Sequence, residues 1–294
     1  LCCEYLRRCL EYRQLSQGEQ KRRSSRLERL FPKYGGKPYA LMEARHVARI
    51  RDAEPTPLRA KRILIDLSKV FEWAMEVGMV SSNPVATVKR PRVKRGKGYH
   101  TWTMDEINAY LAFHKEGSRA HLGLLLALHT GLRVSDLARL GRQHIRDGWI
   151  VYTPGKTAGS SGLSIEVPIP PALAQAIDRA PKGQLAFLIT RSDQPFSAKG
   201  LANKFKEWTA AAGIPHCSAH GIRKAGATIA AERGASDHSM MALFGWTTSA
   251  QANVYTKAAN RRRLAASAAA LLSDEAGTKT VAPDFECDNK PKKS

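Results

Sequence analysis

Residues 89–98, KRPRVKRGKG, place the strongest constraint on how this chain can fold. Six of the ten are lysine or arginine and none is acidic, and Pro91, Gly96 and Gly98 disfavour regular structure. We therefore expect this segment to be a linker between two domains. The predicted organisation is a first domain over residues 1–88, the linker over 89–98, a second domain over 99–272 and a polar, disordered tail over 273–294.

The first domain is predicted to be entirely helical. Residues 58–77 carry apolar side chains at helical spacing, and Gly78 follows as a helix stop. The apolar positions are Ile63, Leu64, Leu67, Phe71, Ala74 and Val77. Further helices are expected at 1–14, at 19–31 and after Tyr39. Together these segments predict a small all-helical domain.

The second domain is predicted to combine helices with a β-hairpin. Thr103 and Glu106 form a capping box that begins a helix, and a buried helix follows at 119–128. Two segments, WIVYTP and LSIEVPI, alternate in period two around the glycine-rich loop GKTAGSSG. Later helices are expected at 171–179, 197–212, 219–233, 237–243, 248–258 and 260–272. The predicted fold class is mainly α with a small β-sheet, an α+β domain after an all-helical one.

The chain is strongly basic along its whole length. Lysine and arginine number 47 against 26 acidic residues, for a net charge of +21, which favours a polyanionic partner. Residues 1–98 contribute +13 and residues 99–294 contribute +8, so we expect a long contact surface. A ribosome-associated or merely basic protein stays open on charge alone. The longest apolar run, Leu122–Leu128, is about a third of a membrane span, so no membrane association is expected.

The cysteines predict neither a disulfide framework nor a metal site. Their number is odd, and no paired C-x-x-C stands with histidines at ligand spacing. We expect reduced thiols, no zinc and a cytoplasmic protein. The five are Cys2, Cys3, Cys9, Cys217 and Cys287. The chain starts without methionine or a signal peptide, so we expect a missing true start and no export signal.

Two short motifs place arginines at helix starts. In HTGLRVSDLARL, Gly131 permits a tight turn, and Arg133 and Asp136 share one helical face. In CSAHGIRK, the helix that carries His220 and Arg223 offers backbone donors and a positive dipole at its start, which indicates an anion site. Each motif alone is weak, because surface arginines and structural histidines are common.

A third motif, LFGWTTSAQANVYTKAA, holds Trp246 and Tyr255 nine positions apart. Taken alone, this motif has two interpretations: Trp246 and Tyr255 pack against each other, or Tyr255 is a nucleophile. Lys156 is the only lysine in the predicted hairpin.

The order of these signals resembles the catalytic domain of the tyrosine recombinases, the phage integrase family, and the first domain resembles the family's core-binding domain. The resemblance implies that Tyr255 is the nucleophile and that Asp136 supports the first arginine. Trp246 stands where many relatives have histidine, and we expect it to pack and position. By resemblance, the catalytic set is Arg133, Lys156, His220, Arg223, Trp246 and Tyr255.

The resemblance also implies the chemistry and the partners. Tyrosine attack on a DNA phosphodiester would give a 3′-phosphotyrosyl link without metal or cofactor, and the chain shows no G-x-x-x-x-G-K-[ST] loop. Four protomers would act on two double-stranded attachment sites, with a directionality factor as a further candidate partner, to integrate or excise a phage or genomic island. A type IB topoisomerase-like enzyme and a catalytically inactive DNA-binding regulator are the alternatives. The linker residues expected to contact phosphates are Lys89, Arg90, Arg92, Lys94, Arg95 and Lys97.

Overall fold

A computed structural model describes residues 1–94, 96, 98–155, 162–180 and 185–275. The chain divides into two compact units, residues 1–96 and 97–294. The division falls inside the predicted linker, and the functions expected of the two parts stay predictions. No helix in the described ranges is both long and apolar enough to cross a membrane.

The first unit is all-helical, as its sequence pattern predicts. Its helices are α1 (Cys2–Arg8), α2 (Leu10–Gln14), α3 (Gln17–Glu28), α4 (Phe31–Tyr34), α5 (Ala44–Asp52) and α6 (Pro57–Glu76). The single helix predicted at 1–14 is divided, because Cys9 has an extended backbone between α1 and α2. Helix α6 confirms the prediction at 58–77, and the Thr56 side chain accepts a hydrogen bond from the Arg59 N–H at its start.

A buried ion cluster joins α3 to α6 in the first unit. Asp66 on α6 is only 2% exposed. Arg26 donates from Nε to Asp66 Oδ2 at 2.5 Å and from Nη2 to Oδ1 at 3.2 Å, and Arg23 Nε lies 3.2 Å from Oδ1. A buried carboxylate is stable only when it is paired and hydrogen-bonded, so these arginines fix how α3 packs on α6.

The second unit surrounds a three-stranded sheet with helices. Its helices are α7 (Met104–Phe113), α8 (Arg119–Thr130), α9 (Val134–Leu137), α10 (Pro171–Arg179), α11 (Ala198–Ala211), α12 (Ala219–Glu232), α13 (Asp237–Phe244) and α14 (Ser249–Glu275). Helix α8 lies in the core, where Leu122, Leu124 and Leu126 are buried. The predicted capping box is present, with hydrogen bonds in both directions between Thr103 and Glu106. The fold class is therefore the predicted one, mainly helical with a small sheet.

The sheet is antiparallel in the order β1 (Ile145–Arg146), β2 (Trp149–Tyr152), β3 (Ile165–Pro168). Tyr152 pairs with Ile165 and Ile150 with Val167. All four side chains are buried and alternate with more exposed ones along β2 and β3, which confirms the predicted period of two. Strand β1 was not predicted, because two residues are too short to show a period.

The last helix differs from the prediction. Helices expected separately at 248–258 and 260–272 are one continuous helix, α14, because neither glycine nor proline interrupts the segment. The helix also extends to Glu275, into the stretch expected to be disordered from 273. The rest of that predicted tail lies outside the described residues.

We expect Asp66→Ala to destabilise the first unit by about 3 kcal/mol, because it leaves the partly buried Arg23 without a carboxylate partner and Arg26 with Glu19 alone. Hydrogen exchange of α3 and α6 amides across a urea series would measure the first unit separately from the second. The control is Asp52→Ala, whose carboxylate pairs with Arg51 at the surface and whose loss should leave exchange unchanged. Equal effects of the two substitutions would contradict a packing role for the cluster.

Candidate active site

A left-handed glycine positions Arg133. Helix α8 ends at Gly131, which has φ +57°, and Arg133 follows two residues later as the half-buried N-cap of α9. A side-chain Cβ at residue 131 would lie 2.2 Å from the Phe244 ring, so only glycine fits this turn. The Thr130 hydroxyl reinforces the turn by accepting from the Leu132 N–H at 3.2 Å. The turn thus fixes where the Arg133 side chain begins.

Arg223 joins three segments of the second unit. From the first half of α12, its guanidinium donates to the Gly131 carbonyl and, at 2.9 Å, to the Phe244 carbonyl at the end of α13. It also lies over the rings of Phe244, at 5.5 Å, and Trp246, at 5.8 Å. Burial, and then the nearby charge of Arg133, lower the pKa of Arg223 to about 10. The side chain remains a cation at neutral pH.

His220 lies beside the two arginines near the start of α12. Its ring packs 4.8 Å from the ring of Tyr99, whose carbonyl accepts from Lys224 Nζ at 2.7 Å. Burial and the charges of Arg223, Arg133 and Lys224 lower the pKa of His220. The imidazole is therefore neutral at pH 7 and able to accept a proton.

Trp246 and Tyr255 are both a packed pair and part of the charged cluster. The Trp246 ring is stacked between Phe244, at 4.9 Å and 21°, and Tyr255, at 5.5 Å and 8°. Tyr255 is nevertheless half-buried rather than enclosed. Burial raises the pKa of Tyr255 and the charge of Arg223 acts in the opposite direction. The Arg223 guanidinium lies over the Trp246 ring on which the phenol stacks, so the two groups are neighbours.

A buried threonine, which the sequence analysis does not predict, anchors the helix that carries Tyr255. Thr256 donates from Oγ1 to Asp237 Oδ1 at 2.5 Å and is itself 1% exposed. This bond joins α14 to the start of α13, one residue beyond Tyr255. No local sequence pattern marks this bond, because Thr256 and Asp237 are 19 residues apart.

Asp136 accepts a hydrogen bond from the backbone just before the predicted hairpin loop lysine. Its Oδ1 accepts from the Gly155 N–H at 3.1 Å, whereas its buried Oδ2 has no hydrogen-bond partner within the described part of the chain. Among the residues described, Asp136 forms no ion pair with Arg133, so direct support of that arginine stays a prediction. Lys156, expected to act from this loop, lies outside the described residues.

The linker cations expected to meet phosphates are partly described. Lys89, Arg90, Arg92 and Lys94 are exposed, and the Lys89 carbonyl accepts from Arg51 Nη1 at 3.1 Å. Arg95 and Lys97 lie outside the described residues. These four exposed cationic side chains are suited to an extended row of phosphates, although their role remains a prediction.

The structure thus gathers Arg133, His220, Arg223, Trp246 and Tyr255 at one place in the second unit. Two guanidinium groups supply fixed N–H donors for an anion, a neutral imidazole can exchange a proton, and a partly accessible phenol lies beside them. These groups together could bind a phosphate diester and attack it.

We expect Gly131→Ala to lower the free energy of unfolding of the second unit by at least about 2 kcal/mol more than Gly148→Ala does. Both glycines have positive φ, but a Cβ at residue 148 would meet nothing within 4 Å. The control thus carries only the backbone strain of about 1–2 kcal/mol, whereas Gly131→Ala adds a collision with Phe244. Hydrogen exchange of α8 and α13 amides in urea would measure the difference, and equal losses would contradict the close approach.

Comparison with known proteins identifies the family. Residues 101–262, more than half of the chain, match the phage integrase family. The chain is 27% identical over 218 residues to the integrase of Mycobacterium phage L5, covering 67% of this chain and 58% of that protein. It is 26% identical over 232 residues to the tyrosine recombinase XerD of Xanthomonas campestris pv. campestris, covering 71% of each. The chain spans less than two thirds of the length of the L5 integrase and of the Mycobacterium tuberculosis prophage phiRv2 integrase.

Solved structures share the fold. A lambda integrase (75–356) dimer bound to a COC′ core site superposes with a TM-score of 0.72 at 21% identity, covering 87% of this chain and 93% of that one. The Tn1549 transposon integrase in complex with circular intermediate DNA gives a TM-score of 0.68 at 14% identity, covering 90% and 99%. With the match over residues 101–262, these likenesses lead to one conclusion: the chain belongs to the phage integrase family.

Proposed function

We propose that this protein is a site-specific tyrosine recombinase that cuts and rejoins double-stranded DNA through a 3′-phosphotyrosyl intermediate. The observation that carries the proposal is geometric: the Arg223 guanidinium lies over the Trp246 ring at 5.8 Å, and that ring stacks on the half-buried Tyr255 at 5.5 Å. A cationic cluster of this kind is costly to assemble unless an anion is to be bound there. The relatives named integrase and tyrosine recombinase support the same reaction.

In the proposed reaction, Arg133 and Arg223 bind the non-bridging oxygens of the scissile phosphate. Two of the N–H groups of Arg223 are used by the Gly131 and Phe244 carbonyls, and the others stay available for the phosphate. The backbone partners prevent the guanidinium from turning as negative charge develops on the phosphate. This preorganisation is what makes such donors effective in a transition state.

Tyr255 is the proposed nucleophile. Its Oη forms a bond to phosphorus as the bond from phosphorus to the 5′-oxygen breaks, and the departing oxygen takes a proton from Lys156. Neutral His220 assists by hydrogen bonding and by accepting the proton that the phenol loses. The Trp246 ring stacks on the phenol and fixes its plane. An indole has only one N–H donor and no acceptor, so Trp246 positions the phenol and does not transfer protons. The phosphotyrosyl link keeps the energy of the phosphodiester for rejoining.

Asp136 is the proposed positioning residue of the hairpin loop. By accepting from the Gly155 N–H, it fixes the backbone immediately before Lys156. Its negative charge also interacts favourably with Arg223. We therefore propose that Asp136 supports the cationic cluster through the loop as well as through charge.

The proposed partners are double-stranded attachment sites and further copies of this chain. A lambda integrase tetramer bound to a Holliday junction shares the fold, with a TM-score of 0.70, and supports a homotetramer on two sites. The exposed residues Lys89, Arg90, Arg92 and Lys94 would contact phosphates, together with Arg95 and Lys97. We propose that the reaction integrates and excises a phage or genomic island, in the cytoplasm and with a directionality factor. The mycobacteriophage integrases among the relatives of this chain favour that role.

Helix α14 is the proposed contact between protomers. Its residues 260–272 are all exposed, and Leu264, Leu271 and Leu272 are each about 70% exposed. Three leucines left in water on one helix favour docking on another surface. We propose that this surface belongs to a neighbouring protomer on DNA.

Two other functions share parts of this site. A type IB topoisomerase-like enzyme would use the same tyrosine chemistry but relax supercoils as a monomer. An inactive DNA-binding regulator would need the basic surface but no reactive phenol. A supercoil relaxation assay beside a two-site recombination assay distinguishes the first, and covalent trapping distinguishes the second.

On a nicked suicide substrate carrying the attachment sequence, we expect the protein to form a covalent DNA adduct that Tyr255→Phe abolishes. Arg133→Lys should reduce the rate of adduct formation at least about a hundredfold, because a lysine cannot donate two fixed bonds to the phosphate. Denaturing electrophoresis measures the adduct.

The matched control for this experiment is Tyr99→Phe, which removes the hydroxyl of an exposed tyrosine packed against His220. It should retain the adduct. An intact protein that binds the site and never forms an adduct would support the regulator, and relaxation of supercoils without recombination would support the topoisomerase.

Replacing Leu264, Leu271 and Leu272 together by aspartate should abolish tetramers on DNA while leaving binding and adduct formation on a single site. The reason is that buried aspartates would oppose the docking of α14. Analytical ultracentrifugation with labelled DNA measures the assembly. Leu185→Asp, at a leucine that is 69% exposed outside α14, is the control, and unchanged tetramers in the triple variant would refute the proposed contact.

A further inference from the structure

Four residues with metal-binding side chains meet in the second unit, away from Tyr255. They are His100, Glu106, His216 and Cys217, whose ligand atoms all lie within 4.8 Å of one another. His100 Nε2 is 2.8 and 2.9 Å from the two Glu106 carboxylate oxygens, and His216 Nε2 is 2.6 Å from Oε1. No short sequence motif contains this group, because Glu106 and His216 are 110 residues apart.

The donor set suits zinc better than other common cations. Two imidazoles, one carboxylate and one thiol are ligands that Zn²⁺ takes in four-coordinate sites, whereas Ca²⁺ and Mg²⁺ prefer oxygen. Zinc bonds of about 2.0–2.3 Å place neighbouring ligand atoms about 3.3–3.8 Å apart in a tetrahedron. The present separations, from 2.6 Å up to 4.8 Å, lie on both sides of that range. Binding the ion would therefore require side-chain rotations that lengthen the shortest contact and shorten the longest.

The backbone beneath the cluster is held in place by other contacts. Trp102 Nε1 donates to the Ser218 carbonyl at 2.9 Å, which holds the segment before α7 against the segment before α12. At Gly221 an added Cβ would lie 2.2 Å from the His100 carbonyl oxygen, so α12 and His100 approach closely. Glu106 is further fixed by its capping bond from the Thr103 N–H at 2.7 Å. The ligands are thus preorganised by packing that needs no ion.

The cluster has one buried side and one open side. Cys217 is 2% exposed, and the Glu106 side chain is mostly covered. The two histidine rings, 5.0 Å apart and inclined at 62°, face solvent. A cation could therefore enter past the imidazoles and reach the thiol, which a bound metal deprotonates. Without an ion, the Glu106 carboxylate accepts hydrogen bonds from His100 and His216, and the Cys217 thiol stays buried beside them.

We propose that the protein binds one Zn²⁺ ion through His100, Glu106, His216 and Cys217. The ion would join the first residues of the second unit to the segment that leads into α12. That segment ends at Ser218, the N-cap of the helix that carries His220 and Arg223, and His100 follows Tyr99, whose ring contacts His220. The metal would stabilise the two backbone segments next to His220 and Arg223. Its binding does not depend on the recombinase proposal.

Titration of the chelator-treated full chain with Co²⁺, a spectroscopic substitute for Zn²⁺, tests the site. We expect one Co²⁺ per chain, visible absorption of tetrahedral intensity and a thiolate-to-cobalt charge-transfer band, all displaced by Zn²⁺. Cys217→Ser should abolish the charge-transfer band. Cys9→Ser, at a cysteine that is also buried but lies in the first unit, should retain it.

Variants of the histidines complete the test. His100→Gln and His216→Gln should each weaken Co²⁺ binding about tenfold or more, whereas His46→Gln, at an exposed histidine of the first unit, should not. Zn²⁺ should raise the melting temperature of the wild-type second unit and not that of the Cys217→Ser protein. A Cys217→Ser spectrum identical to the wild type, or Zn²⁺ binding that survives loss of both His100 and His216, would overturn the proposal and leave only a hydrogen-bonded cluster.

Discussion

The hydrogen bonds from Arg223 to the carbonyls of Gly131 and Phe244 connect the parts of the second unit on which the candidate site depends. Each carbonyl belongs to a helix end, where backbone acceptors lack a partner within the helix. By satisfying both, a single guanidinium fixes the turn that leads to Arg133 and the turn that leads to Trp246. Residues from α8, α12 and α13 thereby keep a common geometry although they are distant in sequence.

This arrangement brings like charges together. Arg133 lies close enough to Arg223 to contribute to its lowered pKa, and both charges lower the pKa of His220. Repulsion of this kind reduces stability, and among the described residues it is opposed by the charge of Asp136, by the carbonyls of Gly131 and Phe244 and by the faces of the Phe244 and Trp246 rings. A bound phosphate would relieve the repulsion, so the energy spent on folding the site is recovered when the anion arrives. The site is therefore better suited to a charged ligand than to water.

The sequence predicted the elements whose side chains repeat with a regular period. Helix α6 and strands β2 and β3 follow directly from apolar spacing, and the arginines were found because their order along the chain matches a known family. Strand β1 has two residues and is too short to show a period, whereas α9 agrees with the motif that places Arg133 at a helix start. The division predicted within α14 was wrong because no helix-breaking residue supports it. Contacts such as Thr256 with Asp237, or His100 with Glu106 and His216, depend on the path of the chain in space and leave no local pattern.

The continuity of α14 has a mechanical consequence for the tyrosine. A helix of 27 residues is about 40 Å long, and Tyr255 lies within its first two turns, next to the Thr256 bond that joins it to Asp237. Any force applied to the distal turns is transmitted along unbroken backbone hydrogen bonds to that bond. If a neighbouring protomer docks on the distal turns, as proposed, its position would be coupled through this helix to the orientation of the phenol against the Trp246 ring.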